Sequence, residues 1–411
     1  MRLAVLVNIA LRGMTLAGKF FLVFFLAKFL LPLEVGVYGL LVATVGYALY
    51  WVGLDFYTFT TRELIKLPRS KWGQMLRGQA ALSLVLYLLF IPLLLSLFAL
   101  DVLPWSFVGW FVALLVLEHV NQELMRLLVA IAEPTLAGVT LFLRSGAWAF
   151  VVVALMYVYP DLRNLSVVLA AWVLGGGLAL LVALMRLRRL GLGGWAERVD
   201  WAWVRRGIKV AMPLLLATLA LRGIYTLDRY WFEALAGMEA LGAYVLFMGV
   251  AGAMVSFLDA GVFAFLYPGL IAAFQQGQRA EYRAGLKKLA GQTLLVVVVF
   301  SAGTLLAIEP LLQWIGKAVY LERQAMFGWL LLATALYALG MIPHYALYSC
   351  GADRAIIYSQ VAGLLVFVVA TTLCSLFFVQ LAVPLGLCAA FLLILLWKSW
   401  AFLRFAPDWL R

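Results

Sequence analysis

The sequence predicts an all-α integral membrane protein, with twelve transmembrane helices in two six-helix lobes related by a pseudo-two-fold axis along the membrane normal. Three observations predict it. Of the 411 residues 66% are hydrophobic and only 12% charged, a share that no water-soluble core needs. The apolar residues fall in runs of about 20, the length that crosses a hydrocarbon layer as a helix. Part of the first lobe recurs half a chain later at a fixed offset. Helix follows from the solvent, because within one continuous run only a helix satisfies every backbone polar group without water.

In chain order the predicted spans are 8–30, 36–62, 75–98, 105–130, 134–158, 165–186, 207–232, 239–267, 289–309, 325–350, 354–378 and 382–404. Residues 1–186 form the first lobe, 187–206 a basic cytoplasmic linker and 207–411 the second lobe. The first span carries Arg12, Thr15 and Lys19 on one stripe, with Lys28 near its outer end, where it snorkels. The second aligns Tyr47, Trp51, Asp55, Thr58 and Arg62. The fourth groups His119, Gln122, Glu123 and Arg126, with Glu118 beside them. The fifth aligns Thr140, Arg144 and Trp148. Arg144 is about ten residues from either end, hence near mid-membrane at about 1.5 Å rise per residue. The linker contains WAERVDWAW, read as a short interfacial helix with Trp anchors. The seventh span sets Arg222, Tyr225, Thr226, Arg229 and Glu233 on one stripe by their three- and four-residue spacing, with Asp228 alongside. The eighth carries Asp259. The last three hold almost nothing ionisable inside, His344 being the main exception.

Charge placement sets the expected topology. With the N-terminus inside, inner segments hold 23 of the 31 basic residues, from Arg2 and Arg12 through Arg126 to Lys398, Arg404 and Arg411. Outer loops hold only Arg163, Lys317 and Arg323. That bias predicts both termini cytoplasmic. The net charge of +12 is thus topological, suits an anionic inner leaflet and gives no reason to expect nucleic acid. The first run is too long, and lacks the small-residue cleavage site, for a removed signal peptide. Cys350, Cys374 and Cys388 have no paired spacing and read as packing residues.

The repeat is visible in the second and eighth spans. Gly36-Val37-Tyr38 matches Gly242-Ala243-Tyr244 at an offset of 206, and Asp55 and Asp259 then fall near corresponding inner ends. Six spans per half give the halves one orientation, so the repeat is parallel and a substrate path is expected at the interface between halves.

Charges within spans cost about 2.5–3.5 kcal/mol each at mid-bilayer, so these must face protein or water. Guanidinium groups suit phosphate, which makes Arg144, Arg222 and Arg229, with Lys19, the candidate phosphate ligands. Tyr225, Trp51 and Trp148, on charged faces, are candidates for sugar stacking. Asp55, Asp259, Glu118, Asp228 and the His119/Glu123 pair are candidates for a coupling ion, H+ or Na+. Arg222 with Asp228, or Glu123 with Arg126, also read as structural ion pairs. Glu118-His119 with Glu123 lacks a further ligand for a metal. No catalytic residue and no cofactor is expected.

Residues 27–64, AKFLLPLEVGVYGLLVATVGYALYWVGLDFYTFTTREL, resemble the first helical hairpin of the polysaccharide biosynthesis flippases. These are a branch of the multidrug/oligosaccharidyl-lipid/polysaccharide (MOP) exporter superfamily. Pro32, Glu34, Gly36, Tyr38, Asp55, Arg62 and Glu63 carry that pattern; Phe56 and Tyr57 stand where a Gly often follows the Asp. Pro213, Asp228-Arg229, Gly242 and Tyr244 resemble the start of the second lobe. QELMRLLVAIAEP followed by Arg144 resembles the fourth and fifth helices, and PLGLCAAF the entry to the last. The resemblance implies a MOP/MATE-like fold. It also implies a flippase that carries an undecaprenyl-pyrophosphate-linked oligosaccharide, an O-antigen or related surface-polysaccharide repeat unit, from the cytoplasmic to the periplasmic leaflet of a bacterial inner membrane. Arg144 and Arg229 are the cavity cations it carries over, and membrane lipids and other polysaccharide-assembly membrane proteins are the partners it implies.

Three rivals stand beside it. A multidrug exporter of the same superfamily would favour an acidic cavity for cationic substrates. A major facilitator shares the six-plus-six plan, but LIKLPRSKWGQMLRG lacks that family's loop signature. An O-antigen polymerase, ligase or lipid-linked glycosyltransferase needs acids, Arg or His in a sizeable outer loop, and the longest here is about 310–324.

Overall fold

A computed structural model describes residues 2–405; Arg411, counted above among the inner basic residues, lies outside them. The described chain is helical throughout, with no strand among the described residues. Its helices are α1 (Arg2–Phe29), α2 (Pro32–Gly53), α3 (Tyr57–Leu64), α4 (Trp72–Ala99), α5 (Val108–Ala130), α6 (Pro134–Phe142), α7 (Trp148–Val158), α8 (Leu165–Arg189), α9 (Trp201–Ala236), α10 (Met238–Leu258), α11 (Ala264–Gln275), α12 (Arg279–Ile315), α13 (Ala318–Glu322), α14 (Gln324–Ser349), α15 (Asp353–Ser375) and α16 (Ala382–Phe405). Among the described residues ten helical stretches are long and apolar enough to cross a membrane, or eleven if α9 counts as one bent span. The protein is a multi-pass membrane protein. The expected fourth span is α5, 23 residues long, which carries Glu118, Glu123 and Arg126 and is not among those ten.

Two expected spans contain a π-helical turn, Leu143–Ala147 between α6 and α7 and Asp259–Phe263 between α10 and α11. A third is broken. The second span stops at Gly53, and Leu54 and Asp55 take φ of +49° and +50°, a region that non-glycine residues rarely adopt. The stripe expected to run from Tyr47 to Arg62 is therefore interrupted at Asp55, and α3 restarts at Tyr57. The interfacial helix expected in the linker does not form. Residues 191–200 are irregular, because their backbone bonds to α4 and its approach instead. Gly73 N donates to Gly193 O (2.8 Å) and Gly193 N to Arg69 O (3.2 Å). Arg77 donates to the Trp195 and Glu197 carbonyls. Asp200 then caps α9 by accepting from Trp203 N at 3.0 Å.

The chain forms two compact units. The first comprises Met1–Phe25 and Leu40–Leu219, the second Leu26–Gly39 and Ala220–Arg411. In the first, α5 and α8 pack along each other and α8 packs on the π turn at Leu143–Ala147. In the second, α16 lies along both α14 and α15, and α10 along α14. The tip of the first hairpin, 26–39, belongs to the second unit, and there it meets its own repeat. A Cβ on Gly36 would strike the Met238 carbonyl, one on Gly242 the Pro32 carbonyl, and one on Gly39 the Val245 side chain. Each contact maps onto its mate at an offset of 206: 36 meets 238 as 242 meets 32, and 39 meets 245. Such reciprocity is the mark of a two-fold relation. The offset also carries the break at 54–56 onto 260–262, inside the second π turn.

Candidate functional site

In the first unit the π turn at Leu143–Ala147 packs on α1. A Cβ at Gly18 would lie 2.9 Å from Gly146 O, and one at Gly146 2.9 Å from Thr15 Cα. Single π turns recur at functional positions because they re-aim side chains out of the regular ladder. Here the turn carries Arg144, which grips Glu118 of α5: Nε donates to Oε2 at 2.6 Å and Nη2 pairs with the same oxygen. The other carboxylate oxygen accepts from Trp172 Nε1 of α8 at 2.8 Å. Trp148 donates its Nε1 to Arg144 O at 2.8 Å, and its ring stacks on Trp172 with 11° between planes. Trp148 is buried, so this ring is committed to Trp172. Lys19 is exposed and lies within electrostatic reach of both Arg144 and Glu118. The group carries two cations and one carboxylate.

A second cluster lies below the break. Arg126 pairs with Glu123 at 2.9 Å and approaches Asp55 at 3.9 Å, and its guanidinium sits 3.4 Å from the Tyr57 ring centre. Gln79 Nε2 donates to Glu123 Oε2 at 2.5 Å. His119 does not pair with Glu123, although the two lie one turn apart on α5. Its Nδ1 bonds the Tyr87 hydroxyl at 2.5 Å, and its Nε2 is buried without a partner, facing Gly53. A cavity of about 490 Å³ runs beside this cluster, lined by Tyr57, Gln79, Tyr87, His119 and Glu123, with Trp195 of the linker also on its wall. Trp51, a sugar-stacking candidate, instead packs on Tyr47 and Phe90.

In the second unit the stripe on α9 splits into different environments. Arg222 is exposed and acts on Asp259, itself exposed on the second π turn. Asp228 is fully buried and accepts from the Tyr244 hydroxyl at 2.6 Å and from its neighbour's backbone, Arg229 N, at 2.7 Å. The Asp228–Arg222 pair considered from sequence is thus replaced by a bond to Tyr244, the tyrosine of the repeated Gly-x-Tyr motif. Arg229 donates Nη1 to Gly39 O at 2.9 Å. Tyr225 packs on Tyr337 and Phe391. Lys28 bonds the Trp314 carbonyl and sits 5.0 Å from that ring's centre.

The structure adds partners that patterning along single helices does not reveal. Trp172, Gln79 and Tyr87 lie in runs without an ionisable stripe, so nothing marks them before the helices pack, and the repeat marks Tyr244 without naming Asp228 as its partner. Lys398, counted among the inner basic residues, is 2% exposed within α16. The last three spans are therefore not free of buried charge. Among the described residues no group of three or more His, Cys, Asp or Glu could hold a metal ion.

No family model and no curated protein matches the chain. Solved structures do. An inward-facing multidrug resistance MATE family transporter of the MOP superfamily matches with a TM-score of 0.75 at 12% identity, over 97% of this chain and 98% of that one. The fold is that of the MOP transporters. An outward-facing MATE family transporter matches with a TM-score of 0.57 at 12% identity, over 98% and 95% of the two chains. A MOP superfamily transporter from Pyrococcus furiosus, described as having a binding pocket of reverse polarity and a different function, matches at 0.55 and 13% identity, over 99% and 95%. Identities this low establish the MOP architecture alone.

Proposed function

We propose that the protein is a flippase, turning over an undecaprenyl-pyrophosphate-linked oligosaccharide of the O-antigen or surface-polysaccharide kind from the cytoplasmic to the periplasmic leaflet by alternating access. It would act in a bacterial inner membrane with both termini cytoplasmic, beside other polysaccharide-assembly proteins, without covalent change to the glycan. One observation carries the reading. Lys19 in α1 and Arg222 in α9 are exposed well inside their spans, where a charge facing hydrocarbon is costly. Meanwhile three of the carboxylates are spent internally: Glu118 on Arg144 and Trp172, Glu123 on Arg126 and Gln79, Asp228 on Tyr244. Within the first unit the charge left at the surface of the spans is weighted towards cations, and in the second Arg222 stands against the exposed Asp259; a cationic first unit suits a pyrophosphate and disfavours the cationic substrates of a drug exporter. In the second unit Arg222 would bind phosphate by paired, charge-assisted bonds, with Arg229 adding charge, and in the first unit Lys19 with Arg144 would offer the same chemistry. The prenyl tail would stay in lipid. A proton or sodium ion would bias the cycle, since a ligand drives a conformational change only through differential affinity.

The test is O-antigen display in a flippase-null strain, with turnover of lipid-linked glycan in vesicles. Lys19→Ala with Arg222→Ala is expected to lower both at least tenfold while the protein remains in the membrane. Undiminished display by the double variant overturns the phosphate role. A product lengthened or transferred by the protein would make it an enzyme instead.

A further inference from the structure

In the second unit two sets of contacts fix the register of the last three spans. Gly340 of α14 faces Leu395 of α16, and Gly363 of α15 faces Ile394. About two turns further, Leu347, Ala355, Ile356 and Ala401 form one buried apolar cluster. The level between them follows by counting: His344 on α14, Ser359 and Gln360 on α15, Lys398 on α16. A polar layer is thus set between apolar ones. Ser359 is fully buried, Gln360 is 7% exposed and Lys398 2%. His344 is only half-buried, but its Nδ1 is buried without a partner, and Lys398 lies within its electrostatic reach.

No carboxylate acts on Lys398. Within their described lengths α14 and α16 contain no acid, and α15 contains only Asp353, exposed in its first turn. From α9, which meets α16 where Tyr225 packs on Phe391, the charged groups acting on that tyrosine are Arg222, Asp228 and, from the second π turn, Asp259; none of them acts on Lys398. Asp259 acts on Arg222 and on Tyr345, beside His344. A buried ammonium with no counter-charge is rare in spans and marks function more often than packing.

We propose that Lys398 is a proton-carrying site of the second unit, loaded and emptied through the half-exposed His344. The exchange is balanced within one N–H network. His344 accepts a proton on one ring nitrogen and yields the proton on Nδ1 to the lysine amine, giving an ammonium; the reverse sequence releases it. Ser359 Oγ, whose own proton goes to Ile356 O at 2.8 Å, and the Gln360 amide oxygen are neutral acceptors at this level. The ammonium is then a cation tethered to the chain, and protonating it is equivalent to binding an ion. Only its use, coupling the proton to turnover, rests on the transport reading.

Proton uptake by the purified chain in detergent tests the site without any substrate. Between about pH 9 and pH 6, wild type is expected to take up about one proton per chain more than Lys398→Met. Lys398→Arg should show the same loss, since a guanidinium stays protonated throughout. Uptake equal to wild type in either variant, eluting as a single folded species, overturns the site. If the Met variant does not fold, the Arg variant decides. His344→Gln should keep the count and slow uptake at least tenfold after a pH jump; an unchanged rate removes the relay. In vesicles, an imposed pH gradient should speed glycan turnover by wild type and leave Lys398→Met unaffected. If wild type turns over no glycan, the flippase reading falls while the proton count still decides the site. Gradient-responsive turnover by Lys398→Met overturns the coupling role.

Discussion

At the scale of single residues, several of the charges within spans are answered locally, Lys398 being the exception. Glu118 is 7% exposed and holds Arg144 and Trp172 at once. Removing one member of such a buried pair leaves the other uncompensated, at a cost of about 3–5 kcal/mol, whereas removing both costs less. Glu118→Ala is therefore expected to lower the thermal unfolding midpoint of the purified protein more than Glu118→Ala with Arg144→Ala does. A double variant as unstable as the sum of the single ones would mean that the pair contributes nothing. The charged residues themselves were legible in the sequence, because ionisable groups inside apolar runs stand out by type alone. The Glu123–Arg126 pair, one turn apart on α5, was legible too, but partners on other helices were not. Which of Arg222, Tyr244 or a backbone amide answers Asp228 depends on helix packing, which leaves no trace in a single stripe. Lys398 escaped for a related reason. Seven residues from the end of α16, it looks like an inner-end anchor, and only the neighbouring α14 and α15 enclose it.

At the scale of helices, the repeat read from Gly36-Val37-Tyr38 and Gly242-Ala243-Tyr244 becomes a physical contact. The glycines let α2 and α10 approach until each backbone touches the other's first turn. A methyl group there has no room, and overpacking of this kind costs about 1–3 kcal/mol. Gly36→Ala and Gly242→Ala should each lower the unfolding midpoint, and by similar amounts, because the two sites are mates. A large loss at one with none at the other would argue against the two-fold relation. Helix existence and order were readable because the hydrocarbon solvent demands long apolar helices. The irregularities were not: the break at Leu54 and Asp55 and the two π turns arise where side chains in the packed unit override regular geometry. The linker shows the same limit. WAERVDWAW has the composition of an interfacial helix, yet hydrogen bonds from Gly73 and Arg77 hold the strip before Asp200 in irregular form.

At the scale of the whole molecule, the basic residues predict which loops face the cytoplasm. That prediction is checked by replacing Cys350, Cys374 and Cys388 with Ser and then adding single thiols. Gln278→Cys should react with a membrane-impermeant maleimide only after cells are opened, and Asn164→Cys in intact cells. The reverse pattern would invert the topology. One further property follows from where the two units divide. Membership changes between Phe25 and Leu26 in α1, between Gly39 and Leu40 in α2, and between Leu219 and Ala220 in α9. All three joints lie inside continuous helices and none in a loop. Each joint is thus backbone already hydrogen-bonded within a helix, so a protease that cuts there must first open a helical turn.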